Sequence, residues 1–464
     1  MIKIKNFFIY LTLFYIRFFA RLSLNIHKPV VIGITGSVGK SSTRNAIYAV
    51  LKDYFLVKMI SEGNSETGIP LGILGISPKN YSVFDWLRMI LICPFKINNI
   101  SKFKYLIIEM GIDDPTPPKN MEYLLTIVKP DISLFLNVHP VHTLQFEKVV
   151  SKNLSKRKRK NSLLQKIAEE KGKIITKNDN CKFAIFNNDN IYVKQVIDSF
   201  KKDNKNTNIK YYSFGNTKSD AVFFSNYEVS LNGTKFTYLI NKKFDKTETI
   251  FINIKKYLLP KAYEESFAST ILIGKILKIS TEKIIKSLTY NFNLPKGRAS
   301  IFDGINESII VDSSYNASKA STITFLELLK DLKTKYKKNV YFIWGDMREL
   351  GEQSESEHIE VFKNTINIID YLYLTGELTK KYIFNNSTLN IYKNKFKEIK
   401  WFKNSNEIGR YLKDHILNNS IILVKGSQNK IFTEEAIKYL LINNRDIKNL
   451  PRQNDFWLNI KKSI

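Results

Sequence analysis

Short unbroken apolar runs recur along the first part of the chain. Each predicts a strand buried on both faces: residues 30–34, 104–111, 131–137 and 183–187. Helical periodicity follows two of these positions, at 43–51 and 161–173. From about 209 to 254 the pattern changes to alternation. Runs 222–231 and 234–240 flank Asn232-Gly233, a strong hairpin signal. Helical spacing returns at 263–277. A break rich in turn residues, Leu294 to Arg298, comes next. Beyond it strands at 308–311, 340–344, 371–374 and 420–424 alternate with helical stretches, one near 321–332.

This rhythm predicts an α/β protein. A central domain with a parallel sheet and appended antiparallel strands should span 30–297. A smaller Rossmann-like α/β domain should span 298–464. Residues 1–29 form a third segment. Residues 7–16 are apolar, Arg17 interrupts them, and more apolar residues follow. Ten residues are too few for a helix to span a bilayer. The segment reads as a helix that lies against the domain or in a membrane interface. The apolar stretch 86–95 either shares that role or is core.

The first run opens onto chemistry. It breaks into Gly36-Ser37-Val38-Gly39-Lys40-Ser41-Ser42, and a helix follows. Strand, glycine turn, lysine, hydroxyl and helix is the order of a phosphate cradle. Glycines let backbone N–H groups close on an anion, and the helix N-terminus adds partial positive charge. Lys40 can reach outer phosphates, and a hydroxyl after it can sit on Mg²⁺. The strict spacing asks for glycine at Ile34, whereas the nearest is Gly33. The loop is a variant, closed here around Gly36 and Gly39.

Two more apolar runs end in polar groups. Glu109 closes the run at 104–111. His139 and His142 follow the run at 131–137. Such groups at the C-terminal ends of parallel strands sit where open α/β sheets bind ligands.

The 464 residues suffice for two or three domains, and 44% hydrophobic content rules out a disordered chain. Cys93 and Cys181 are far apart and in no metal-like spacing, which suits a reducing cytoplasm. The net charge of +29 suits anionic substrates such as nucleotides. Its dense cluster, Lys156 to Lys160, has no interleaved aromatics and reads as a solvated loop. No nucleic-acid partner is expected.

Several separated motifs together resemble the Mur ligase family, ATP-dependent enzymes that add amino acids or peptides to cell-wall precursors. They are GITGSVGKSS at 33–42, NSETGIP at 64–70, IEMG at 108–111, Asn137 to His142 and IAEEKGKI at 167–174. The second domain adds Gly297-Arg298, DSSYNA at 312–317, GDMRELG at 345–351 with Ser354 and His358, and VKGS at 424–427. The pattern is most similar to the branch joining D-alanyl-D-alanine to a UDP-N-acetylmuramoyl-tripeptide.

The resemblance implies ATP and Mg²⁺. Gly36, Ser37, Val38, Gly39, Lys40, Ser41 and Ser42 would cradle the β- and γ-phosphates. Ser41 and Glu109 would ligate one Mg²⁺. Glu109, His142 and a carbamylated Lys171 would serve a second. Arg298 and Asp312 would reach ATP from the second domain. Lys40, Lys171, His142 and Arg298 form the implied catalytic set. The implied partners are a UDP-linked muramoyl peptide and a D-alanyl dipeptide or other amine.

The sequence departs from the family in places. Only 29 residues precede the loop, where the family has a UDP-binding domain. The family's G-x-H-N-x-x-N helix is replaced by Pro260 to Ser266. Ser313, Ser318-Lys319 and Gln428 stand where Asp, Asn-Pro and Arg are usual. A lipid-linked or polymeric acceptor, or a non-catalytic ATP-binding role, are the alternatives these departures leave.

Overall fold

The computed structural model describes residues 2–60, 63–80, 82–140, 145–151, 153–204, 208–241, 247–348, 350–427 and 431–462. His142, Glu349 and Gln428 lie outside the described residues. Contacts divide the chain into two units. One comprises Met1–Asn226, Thr237–Ile252 and Tyr263–Asn293; the other comprises Tyr227–Phe236, Asn253–Ala262 and Leu294–Ile464.

The first sheet holds nine strands: β1 (Val30–Thr35), β2 (Val57–Met59), β3 (Tyr105–Glu109), β4 (Ile132–Phe135), β5 (Phe183–Asn187), β6 (Lys210–Gly215), β7 (Val222–Ser230), β8 (Gly233–Ile240) and β9 (Glu248–Ile254). Their order is β2-β3-β1-β4-β5-β6-β7-β8-β9. Pairing from β2 through to β7 is parallel. The strands β3 and β4 are buried throughout, which is why they read as unbroken apolar runs. The alternating region differs in one respect from a simple meander. β6 joins β5 in parallel, and β7 joins β6 in parallel at Phe214 and Gly215. Reversal begins only at the two-residue connection from β7 to β8, which forces an antiparallel pair.

β1 is flanked by β3 on one side and β4 on the other. The chain order reverses there, which opens a crevice at the C-terminal strand ends. Helices pack on the sheet: α1 (Ile2–His27), α2 (Lys40–Leu51), α3 (Gly68–Leu74), α4 (Val83–Ile92), α5 (Met121–Ile127), α6 (Lys156–Thr176), α7 (Ile191–Asp203), α8 (Glu264–Ile276) and α9 (Thr281–Asn291). Ile108, Phe135, Ile167, Ala168 and Ile174 belong to one buried cluster. That cluster fixes the α6 register against the sheet.

Two expectations need correction. α2 starts at Lys40, three residues before the apolar pattern does, because Gly39 caps it with φ +84°. The run 156–160 is the first turn of α6 and not a loop. A helix start needs no apolar stripe, so periodicity misses it. The helix expected within residues 1–29 is α1, which runs through Arg17 unbroken over 26 residues. The Arg17 charge is spent within the unit: Nη1 donates to Thr126 Oγ1 at 2.9 Å. Residues Ile9–His27 have the length and composition of a membrane span, but Leu13, Ile16, Ala20 and Ser23 are buried on the protein.

The second sheet holds β10 (Ser300–Gly304), β11 (Ser308–Ser313), β12 (Val340–Gly345), β13 (Tyr371–Thr375), β14 (Glu398–Phe402) and β15 (Ile421–Lys425), in the order β10-β11-β15-β12-β13-β14. Only β10 is antiparallel to its neighbour. Helices α10 (Lys319–Tyr336) and α11 (Ser354–Thr365) belong to this unit. Ser313 pairs with Lys425, and Lys425 with Trp344. The DSSYNA, VKGS and GDM segments therefore lie side by side at the C-terminal ends of three interior strands.

Candidate active site

The loop after β1 is strapped to the segment after β4. Ser37 N–H donates to Asn137 O at 2.9 Å. The Ser37 hydroxyl donates to His139 O at 3.2 Å and accepts from His139 N–H at 2.9 Å. Asn137 Oδ1 accepts from Val38 N–H at 3.0 Å, and its Nδ2 donates to Val38 O at 3.2 Å. One amide side chain thus clamps both faces of the Val38 peptide. A Cβ on Gly36 would lie 2.9 Å from Leu136 Cβ. Glycine there lets the loop approach β4.

Lys40 folds back over this loop. Its Nζ donates to Gly36 O at 2.8 Å and Ser37 O at 3.3 Å. Burial holds its pKa below the usual lysine value, opposed by the charges of Glu109 and Asp113. Glu109 ends β3, opposite Ile34 of β1. Its Oε2 accepts from Ser41 Oγ at 3.2 Å, and its Oε1 pairs with Arg44 Nη1 at 2.9 Å. Arg44 sits one helical turn beyond Lys40.

Lys171 projects from α6 into the same neighbourhood. It is buried, and burial with the nearby Lys40 charge pushes its pKa down to about 7. A large share is therefore uncharged near neutral pH. Next to it, Glu170 is buried and tied down: Oε1 accepts from Met121 N–H at 2.8 Å, and Oε2 pairs with Lys173 at 2.7 Å. The adjacent carboxylate is thus committed to α5 and α6, while among the described residues Lys171 Nζ carries no such tie.

The segment Pro260 to Ser266 leads into α8. Glu265 Oε2 accepts from Asn137 Nδ2 at 2.6 Å, and Oε1 accepts from Asn187 Nδ2 at 3.0 Å. Burial pushes the Glu265 pKa up to about 7, against these two bonds. Ser266 Oγ accepts from Thr43 Oγ1 at 2.9 Å in a buried contact. The helix that replaces the family motif is therefore docked on Asn137, on Asn187 and on α2.

The second unit gathers its own polar group. Asp312 is buried, and burial pushes its pKa up to about 6. Its Oδ1 accepts from Ser314 N–H at 3.0 Å and Ser314 Oγ at 2.5 Å, while Oδ2 has no partner. Arg298 stacks on Tyr315 at 4.8 Å, and its buried Nε also lacks a partner. Lys425 Nζ donates to Ser313 Oγ at 3.2 Å and Asn316 O at 3.0 Å. Burial first, then the Arg298 charge, pushes its pKa down to about 7. His358 accepts from Met347 N–H at Nε2 (3.1 Å), and its Nδ1 lies 2.6 Å from Ser354 O. Those partners assign a neutral ring protonated at Nδ1. Its role is to hold the GDM turn.

Residues 297–428 match the family model described as Mur ligase, glutamate ligase domain. Two curated UDP-N-acetylmuramoyl-tripeptide–D-alanyl-D-alanine ligases match far more of the chain. The one from Rickettsia prowazekii is 29% identical over 405 residues, covering 86% of this chain and 76% of that protein. Residues 297–428 thus carry a Mur ligase domain, and most of the chain is similar to these ligases. The ligase of the same description from Buchnera aphidicola (strain APS) is 26% identical over 408 residues, covering 86% and 74%. The fold agrees with the crystal structure of the MurF ligase from Thermotoga maritima in complex with ADP: TM-score 0.66, 20% identity, 92% of this chain and 83% of that one.

The first unit brings together the loop 36–42, Glu109 and Lys171. Arg298 and Asp312 are held in the second unit, within one cluster with Lys425. His142 lies outside the described residues. Ser42 follows Ser41 into α2, and among the described residues no side-chain bond marks it. Sequence reasoning assigned no role to Arg44, Asn137 or Glu265. Arg44 had a signal, since i+4 from Lys40 places it on the neighbouring turn. Asn137 stood in a quoted motif. Glu265 stood in the Pro260 to Ser266 segment, but nothing there pointed to its partners, which are 128 and 78 residues away.

Proposed function

We propose that this protein is an ATP- and Mg²⁺-dependent amide ligase that joins D-alanyl-D-alanine to a UDP-N-acetylmuramoyl-tripeptide in peptidoglycan precursor synthesis. The observation that carries the reading is the gathering near the β1 loop of Lys40, of the Ser41–Glu109 pair and of the buried Lys171, whose pKa burial pushes down to about 7. The names of the curated relatives supply the acceptor and the amine. ATP supply places the reaction in the cytoplasm.

The acceptor carboxylate attacks the γ-phosphorus of ATP, and ADP leaves. The dipeptide amine then attacks the acyl phosphate carbonyl. The tetrahedral species expels phosphate, and the amine proton is lost as the amide forms. Loop amides 36–41 and the α2 N-terminus hold the β- and γ-phosphates. Lys40 exchanges its two carbonyl partners for phosphate oxygens and balances their charge. Arg44 fixes the Glu109 rotamer, and Asn137 fixes the loop peptide at Val38. Within the second unit, Arg298 Nε and Asp312 Oδ2 are a buried donor and acceptor with no partner among the described residues. Positioning and charge balance are the main contributions, so no nucleophilic side chain is required.

The oxygen donors suit Mg²⁺, which prefers hard ligands. Among the described residues no group of three or more His, Cys, Asp and Glu is poised for a metal. The further oxygens would come from Ser41 and from a carbamate on Lys171. An unprotonated amine is the form that takes up CO₂. Bound there, the metal would neutralise phosphate charge and polarise the transferring group.

The test is phosphate release from ATP and Mg²⁺, with UDP-N-acetylmuramoyl-tripeptide and D-alanyl-D-alanine added singly and together. Release that requires both is expected. Release with neither, or with none of the combinations, overturns the reading.

A second reading keeps this chemistry and takes a lipid-linked or polymeric acceptor. The apolar outer face of α1 favours it, and peripheral membrane contact through residues 1–29 goes with it.

A further inference from the structure

The outer face of α4 reverses the usual pattern of a surface helix. Phe84, Leu87, Leu91 and Phe95 follow one another at three- and four-residue steps along α4 and the 3₁₀ turn after it. All four are exposed, Phe84 at 83% and Phe95 at 85%. The opposite stripe, Asp85, Met89 and Cys93, is buried. A single exposed apolar residue is ordinary, whereas a contiguous stripe marks an interaction face.

α1 lies beside this stripe. Ser23 Oγ donates to Ile97 O at 2.5 Å, and His27 Nε2 meets Asn98 Oδ1 at 3.2 Å. Leu13, Ile16 and Ala20 face the protein; Leu11, Phe14 and Phe18 face away and are more than half exposed. A helix apolar on both sides is suited to an apolar medium on its outer side. Because its inner side is packed on the unit, it lies along the protein surface.

The segments that carry the two stripes are rich in basic residues, although Glu122 of α5, half exposed, lines the same cavity as Arg21 and Lys28 of α1. Residues 1–52 contain no Asp or Glu, but they include Lys3, Lys5, Arg17, Arg21 and Lys28. Residues 76–104 hold five basic residues and one acid, Asp85, which is buried and paired with Arg88 at 2.6 Å. An apolar face with a basic surround and no exposed carboxylate of its own complements an anionic bilayer.

We propose that the outer stripes of α1 and α4 dock the enzyme on the interfacial layer of a bilayer containing anionic phospholipids. The inference deepens the lipid-linked reading of the acceptor and rests on that reading for its purpose. It does not depend on the amide chemistry. Docking would hold the β1 loop near acceptors carried in the membrane.

The test uses the full chain and sedimentation with vesicles of phosphatidylcholine alone, or mixed about 2:1 with phosphatidylglycerol. Binding to the mixed vesicles is expected, weakened roughly tenfold by omitting the anionic lipid. The variant Phe84→Ser/Leu87→Ser/Leu91→Ser/Phe95→Ser should lower partitioning at least ~tenfold. Lys96→Glu/Lys102→Glu, on the exposed surround, should lower binding to the anionic vesicles alone. Light scattering without lipid gives the mass. Failure of the wild-type chain to sediment, or equal binding by all variants, overturns the proposal. A dimer that the serine variant breaks, with no vesicle binding, assigns the face to a second copy and also overturns it. Phosphate release with soluble substrates is measured in parallel, so a failed ligase reading and a failed docking reading give different results.

Discussion

Asn137 and Glu265 are 128 residues apart and share a 2.6 Å hydrogen bond beneath the phosphate loop. The same Asn137 holds both sides of the Val38 peptide. Glu265 therefore sets the orientation of the amide that sets the loop. A carboxylate acceptor forces the NH₂ of Asn137 toward α8 and leaves Oδ1 for Val38 N–H.

Glu265 should make stability depend on pH. Its pKa is raised by burial from 4.5 to about 7. Between those values the folded chain keeps a proton that the unfolded chain has released. Stability from this group therefore falls as pH rises across that window. Glu265→Gln should flatten the fall. The melting temperature of both proteins at pH 5 and pH 8 checks it, and an unchanged difference between the two pH values would count against the assignment.

Lys40→Ala should lower ATP-dependent phosphate release by about 10²-fold or more, since it removes a preorganised positive charge from the phosphate site. The fold should persist, because the lost ammonium is a buried charge that burial already disfavours. Circular dichroism alongside the phosphate assay separates loss of chemistry from loss of structure.

Lys171→Ala should cost roughly 10- to 100-fold in ligation rate, the range for a group that supports a metal site. Depleting CO₂ should slow the wild-type enzyme, and bicarbonate should restore it. The alanine variant should respond to neither. A bicarbonate response that survives the substitution would move the carbamate elsewhere.

Arg452 and Glu434 form a buried pair in the second unit. Nε and Nη2 of the arginine donate to the two carboxylate oxygens at 2.8 and 2.5 Å, and Lys461 adds a bond of 2.9 Å to Oε1. Arg452→Leu strands the carboxylate with only the lysine. A loss of about 3 kcal/mol is expected, at the low end for a broken buried pair because Lys461 stays. Denaturant unfolding measures it. Adding Glu434→Gln should recover part of the loss, and a purely additive double variant would deny the coupling.

The sequence determined the local features. A glycine run after an apolar run sets a loop and a helix start, because φ-permissive residues and a capped N-terminus act within a few residues. Unbroken apolar runs located β1, β3, β4 and β5, because strands buried on both faces cannot alternate. The motif strings named Glu109, Lys171, Arg298 and Asp312 by resemblance. Only the tertiary structure decided what those residues feel. Lys171 loses its charge near neutral pH because packing of α6 buries it beside Lys40, 131 positions away in sequence. Glu265 gains its partners because β4, β5 and α8 converge. The outward stripe on α4 was legible as an apolar stretch, but periodicity cannot say which side of an apolar helix meets the core. Burial, pKa and facing are properties of packing between distant segments, and a linear pattern carries only what neighbours along the chain impose.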